Sequence, residues 1–169
     1  ETCNTYNMLR LTKMLYTTSA DPSYMDFYER ALYNHILSTI NPIQGGFVYF
    51  TPMRSGHYRV YSQPQTSFWC CVGSGIENHS RYAEMIYSHN ADKELIVNLF
   101  IPSVVKWGKR SIKQVNNFPA EEGTSLVINT RKPSQFIISI RIPEWTDASA
   151  MNAKVNGNSV EAKIEEGFL

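Results

Sequence analysis

The stretch SFWCCVGSGIENHSRYAEMIY, Ser67 to Tyr87, stands where the chain changes character. It carries two of the three cysteines side by side, Cys70 and Cys71, just ahead of a helical pattern. Ser74 and Glu77 have the spacing of a capping box, in which each side chain satisfies a backbone donor that the first helical turn leaves free. Ile76, Ala83 and Ile86 or Tyr87 then form an apolar stripe, so a helix is predicted from Ser74 to about His89. Upstream the pattern is helical. Beyond Asn90 it has the period of strands.

Two further helices are predicted upstream. Met8, Leu11 and Leu15 recur at spacings of three and four, which predicts a helix over about 4–17 with that stripe inward. Asp21 and Pro22 then make an N-cap and a first helical residue whose missing N–H costs nothing there. Met25, Tyr28, Leu32 and Ile36 share one face of this second helix, and Asn41-Pro42 stops it. Between it and Ser67, GGFVYFTPMRSGHYRVY (45–61) reads as a hairpin turning at Arg54-Ser55-Gly56. Its aromatic, Arg and Gln side chains suit a sugar surface, and they also suit a packed loop.

After Asn90, ELIVNLFIPS, RSIKQVNNF, TSLVINT and QFIISIRIPEW are short β-rich runs broken by Gly108, Pro119, Gly123 and Pro133. Strands at this spacing point to a sandwich or barrel. AKVNGNSVEA adds a hairpin with Asn156-Gly157 at its turn. The expected fold class is α+β in two parts, residues 1–90 and 91–169. Three amphipathic helices and an unfinished strand pattern lead to the expectation that this is a piece of something longer.

Composition narrows the function classes. A formal net charge of +1 gives no electrostatic footprint for nucleic acid or an anionic membrane. No apolar run approaches the roughly 18–20 residues that span a bilayer, and no signal-peptide pattern opens the chain. Three cysteines cannot pair completely, so a disulfide framework is not expected. The triplet Asn78-His79-Ser80 falls within the predicted helix, where glycosylation is not expected.

Glu1, Cys3, Cys70 and Cys71 supply one carboxylate and three thiols, each pair at the edge of a predicted helix. That donor set matches a four-coordinate zinc site. Adjacent ligands are geometrically awkward and no CxxC pair is present, so buried unliganded cysteines and a thiol redox pair account for the same residues. Closeness to a helix N-terminus favours a thiolate at Cys70 or Cys71 in any of these readings. His35, His57, His79 and His89 are scattered, Arg54, Arg59 and Arg81 fit ion pairs, and Glu77 is explained as a cap. There is no phosphate loop, dinucleotide fingerprint or Gly-x-Ser-x-Gly elbow.

ETCNTYNMLRLTKMLY followed by SFWCCVGSGIENHSRYAEMIY resembles the bacterial β-L-arabinofuranosidases, glycoside hydrolase families 127 and 146, and FIISIRIPEW and the VNG hairpin resemble that family's β region. The resemblance covers nearly the whole chain. It implies that residues 1–90 are the last helices of an (α/α)6 catalytic barrel and 91–169 part of an antiparallel β-sandwich. By motif match it implies Glu1, Cys3, Cys70 and Cys71 as Zn2+ ligands and Cys70 as the nucleophile of a retaining hydrolase acting on an arabinofuranoside-containing glycan. The family's general acid/base is a glutamate upstream of the ETC motif, so that role falls on no residue here, and the rest of the barrel would be needed for activity. Compartment stays open between the bacterial periplasm or exterior and the cytoplasm. Two readings from other classes compete: a non-catalytic glycan-binding protein whose zinc ties helices together, and a metal-free thiol redox protein.

Overall fold

The computed structural model describes all residues, 1–169. The chain forms two compact units, Glu1–Ala83 and Glu84–Leu169. The first holds three α-helices and the second eight short strands, an α+β composition.

Helix α1 spans Thr2–Ser19 and ends at Ala20, whose left-handed backbone (φ 55°) lets its N–H reach the Tyr16 carbonyl at 2.7 Å. Its buried face is Thr2, Tyr6, Leu9, Thr12 and Tyr16. The stripe expected to face inward, Met8, Leu11 and Leu15, is exposed instead, at 41%, 46% and 40%. Both sets recur at helical spacing, so period alone could not choose. The face carrying Tyr6, Leu9 and Tyr16 is the one that packs against α2 and α3.

Helix α2 spans Pro22–Ala31 and starts as expected, with the Asp21 carboxylate accepting from the Ser23 N–H at 2.9 Å. Met25, Tyr28, Leu32 and Ile36 are all buried, as the stripe requires. The helix does not continue regularly to Asn41. It widens into a π turn at Leu32–Ile36 and tightens into a 3-10 turn at Leu37–Thr39, a change of winding that the sequence does not mark.

The segment after it is not a laddered hairpin. Two isolated bridges, Ile40 to Phe47 and Val48 to Tyr61, hold it, and the turn closes from the His57 N–H to the Arg54 carbonyl at 3.3 Å. At Gly46 a Cβ would come within 2.4 Å of the Ser62 carbonyl oxygen, so only glycine admits that approach. Phe50, Met53, Tyr58 and Phe68 stand exposed along the excursion.

Helix α3 spans Cys70–Ser80, with Trp69 at the N-cap. It therefore begins a turn earlier than expected, and the Ser74–Glu77 capping box does not form. Ser74 lies inside the helix, and Glu77 accepts a hydrogen bond from the Tyr6 hydroxyl. The inward face is Cys71, Gly75 and Asn78, spaced four and three, while Ile76 is 61% exposed. Small residues win this face because the neighbouring elements come close. The predicted run to His89 is broken too. A 3-10 turn occupies Tyr82–Met85, and Tyr87–Asn90 is a strand.

In the second unit, β1 (Tyr87–Asn90) pairs antiparallel with β2 (Glu94–Val97), and β2 pairs parallel with β6 (Ile137–Ile140). β3 (Ser103–Trp107), β4 (Arg110–Val115) and β5 (Ser125–Thr130) form an antiparallel meander. The expected all-antiparallel pairing is thus corrected at β2–β6, where a long connection returns the chain in the same direction. Leu95, Trp107 and Ile112 form a core drawn from both sheets, with Tyr87, Val105, Leu126 and Phe136 packed on it. Gln114, buried at its edge, donates to the carbonyls of Leu99 and Ile101 and accepts from Thr124, so the amide is satisfied. The predicted hairpin is present as β7 (Ala153–Val155) and β8 (Asn158–Val160) around Asn156 (φ 51°) and Gly157 (φ 83°).

Candidate functional site

Packing of α1 against α3 brings the two cysteine motifs together across 68 residues of sequence. The Cys3 and Cys71 sulfurs are 3.5 Å apart, and those of Cys70 and Cys71 3.9 Å. All three Sγ atoms lie within 4.8 Å of one another. Cys71 is buried, Cys3 partly so, and Cys70 is exposed, so the cluster has an inner and an outer side. No disulfide joins them.

The spacing tests whether a metal fits. A tetrahedral ion with sulfur bonds of about 2.3 Å has sulfur–sulfur edges of about 3.8 Å. Two of the three sulfur–sulfur edges bracket that value, and all three sulfurs lie within 4.8 Å, so the donor set and its spread suit one zinc ion. Glu1 stands at the α1 N-cap, exposed and outside this cluster, but its charge acts on both Cys70 and Tyr49. None of the four histidines joins the cluster.

The local environment separates the three thiols. Cys70 is the first residue of α3, where unpaired backbone N–H groups favour negative charge. Hydrogen bonding from Cys3, then from Tyr49, holds the Cys70 thiol below its usual range. Burial pushes the Cys3 thiol up to about 11, and the neighbouring sulfurs add to this. Tyr49 is pushed up to about 12, chiefly because its hydroxyl serves Cys70. The outer sulfur of Cys70 therefore favours the thiolate, where Cys3 disfavours it.

Tyr49 was not legible as a site residue. Its hydroxyl is 3.6 Å from Cys70 Sγ, and its carbonyl oxygen is 3.9 Å from Cys71 Sγ. Its ring meets Trp69 edge-on and lies 4.5 Å, centroid to centroid, from exposed Phe50. The sequence separates Tyr49 from Cys70 by 21 positions with no periodic relation. The one available signal was the aromatic density of FVYF.

His79 lies tilted against the Phe47 ring at 5.5 Å between centroids and pairs with the Tyr82 hydroxyl, and burial lowers its pKa. His35 pairs with Thr5 at 2.8 Å. Both belong to the packing of the helices.

Two family models match. The catalytic domain of GH127 β-L-arabinofuranosidases matches residues 1–84, and the middle domain of the same enzymes matches residues 94–169. Among solved structures, a GH127 β-L-arabinofuranosidase from Geobacillus stearothermophilus T6 is 24% identical with a TM-score of 0.78, over 99% of this chain and 28% of that one. The GH127 β-arabinofuranosidase BT3674 is 27% identical with a TM-score of 0.74, over 100% and 29%. A protein described as a glycoside hydrolase is 21% identical with a TM-score of 0.80, over 99% and 30%. The chain thus spans less than a third of the length of each of these structures. Comparison with curated proteins finds no match.

Proposed function

This chain belongs to the GH127 β-L-arabinofuranosidase family of glycoside hydrolases, and from that membership we propose that it carries the nucleophile side of a retaining β-L-arabinofuranosidase site, with Cys70 as nucleophile. The observation that supports this is the convergence of Cys3, Cys70 and Cys71 to within 4.8 Å, with Cys70 on the open side. Zn2+ is the proposed metal, held by Cys3, Cys70, Cys71 and, as fourth ligand, Glu1. Bound there, it would keep the thiols ionised at neutral pH and fix their direction.

The nucleophilic chemistry falls to the chain's own groups. The Cys70 thiolate attacks the anomeric carbon as the glycosidic C–O bond breaks and the departing oxygen takes a proton. A thioglycoside on Sγ results. Water then attacks the same carbon and gives up a proton to a base assigned to no residue of this chain, the C–S bond breaks, and the thiolate is restored. Two inversions leave the sugar with its original configuration. Cysteine suits the role because sulfur is strongly nucleophilic near neutral pH. The Tyr49 hydroxyl, 3.6 Å from Sγ, accepts from the Cys70 thiol and would donate to the thiolate, which orients it, and Phe50 beside Tyr49 offers an aromatic face to the C–H bonds of a sugar. The proton for the leaving group is assigned to no residue of this chain. In the proposed architecture, residues 1–90 close an (α/α)6 barrel and 91–169 enter a β-sandwich, with an arabinofuranoside-containing glycan as substrate.

The test is elemental analysis of the purified chain beside its Cys3→Ser and Cys70→Ser variants. The full-length protein is then incubated with an arabinofuranoside that forms a slowly hydrolysed adduct. About one zinc per chain, lost in both variants, and sugar mass on the peptide containing Cys70 support the reading. A folded chain that takes up no zinc would favour the thiol redox alternative, which the 3.5 Å sulfur separation makes the nearest competitor. Zinc without a Cys70 adduct or sugar release would favour the non-catalytic glycan-binding alternative.

A further inference from the structure

Ser74 sits one turn after Cys70 and three residues after Cys71, inside α3. Side chains in a helix lean toward its N-terminus, so the Ser74 hydroxyl reaches back to the level of the cysteines. There it lies 3.4 Å from Cys3 Sγ and 3.2 Å from the hydroxyl of Thr2. A serine in a helix interior commonly turns back to a carbonyl of its own helix, as Ser80 does to the Glu77 carbonyl at 2.7 Å. Ser74 is directed across to α1.

The direction of these bonds follows from the donor inventory. A hydroxyl has one proton to give and can accept two, whereas a thiolate only accepts. Once Cys3 is ionised as a metal ligand, Ser74 must donate to it. The Thr2–Ser74 bond can then run only from Thr2 to Ser74. Thr2 is 2% exposed, so the inner end of this relay is shielded from competing water, while Ser74 and Cys3 are partly buried.

We infer that Ser74 is a positioning residue of the metal centre: its hydroxyl donates to the Cys3 thiolate and is itself oriented by Thr2. This rests on the proposed zinc site. Outer partners of this kind fix a ligand's direction, and their removal typically weakens metal binding by about 10–100-fold.

The test is zinc affinity by competition with a chromophoric chelator, together with the cobalt(II) spectrum, on the wild-type chain and on Ser74→Ala, Ser74→Thr and Thr2→Val. Alanine is a better helix former than serine, so Ser74→Ala should fold. Thermal melting of the metal-free chains checks this. The expected result is about tenfold or more weaker zinc binding in Ser74→Ala, a shifted thiolate-to-cobalt charge-transfer band, and recovery of both in Ser74→Thr. Thr2→Val, which keeps the Ser74 donor but frees it to rotate, should weaken binding by a smaller factor. Wild-type affinity and spectrum in Ser74→Ala overturn the inference while leaving the metal site standing. A wild-type chain that binds neither zinc nor cobalt overturns the metal reading, and the inference falls with it.

Discussion

Cys3 and Cys71 bring their sulfur atoms to 3.5 Å although 68 residues separate them in the chain, closer than the 3.9 Å between the adjacent Cys70 and Cys71. Closing the vicinal pair would require a strained eight-membered ring. Treating the metal-free chain with diamide should therefore join Cys3 to Cys71 first and leave Cys70 open to alkylation. Peptide mass spectrometry reads this directly. A dominant Cys70–Cys71 bridge would contradict the assignment of inner and outer sulfurs, and prior loading with zinc should suppress the crosslink.

Gly75 is predicted to resist substitution. A Cβ there would meet the Phe47 ring at 2.6 Å, and Phe47 is two residues from the tyrosine that touches Cys70. Gly75→Ala should destabilise the first unit by about 1–3 kcal/mol, the usual cost of overpacking. Adding Phe47→Leu should recover part of that. Denaturant unfolding of the single and double variants measures the coupling. Additive losses would mean that the ring and the helix face do not compete for the same space.

The Asp21 cap should make stability depend on acid pH. Hydrogen bonds from Ser23 hold its carboxyl below the ordinary value of 3.8. A depressed folded pKa means that the stabilisation is fully present above the unfolded value and is lost as pH falls through the folded one. The melting temperature of Asp21→Ala should lie below that of the wild type at pH 6, and the gap should close as pH falls below 3.8 and through the lowered folded value. A gap that persists unchanged in acid would show that the carboxylate charge is not what caps α2.

Gly157 should matter to the hairpin more than its exposure suggests. Its φ of 83° is a backbone region that side chains resist. Gly157→Ala should cost about 1 kcal/mol, seen as faster amide exchange in residues 153–160. Asn156, at φ 51°, tolerates that region through its short polar side chain, so Asn156→Val should also loosen the turn. Unchanged exchange in both variants would argue against this turn geometry.

Local signals carried part of the fold, and the reason is that their physics is local. Asp21-Pro22 satisfies backbone donors within one turn, Asn156-Gly157 supplies two adjacent positive φ angles, and Met25, Tyr28, Leu32 and Ile36 lie on one helix face whatever that face meets. A change from helical to strand period is legible for the same reason, although the units divide at Ala83/Glu84 and the strand Tyr87–Asn90 already precedes the expected boundary at Asn90. The cysteines stood out in the sequence too, but zinc ligation, burial and redox pairing shared the same three thiols.

Tertiary structure decided the rest. α1 offers two stripes at helical spacing, and only packing against α2 and α3 selects Tyr6, Leu9 and Tyr16 over Met8, Leu11 and Leu15. The start of α3 moved from Ser74 to Cys70 because long-range contacts, with Cys3 and Phe47 on the helix face, outweigh a capping box. The strand YSHN has too few apolar residues to announce itself, yet it pairs with β2 across four residues. The union of Cys3 with Cys70 and Cys71, the approach of Tyr49 and the direction of the Ser74 hydroxyl all depend on how separated elements pack, and no spacing along the chain encodes those distances.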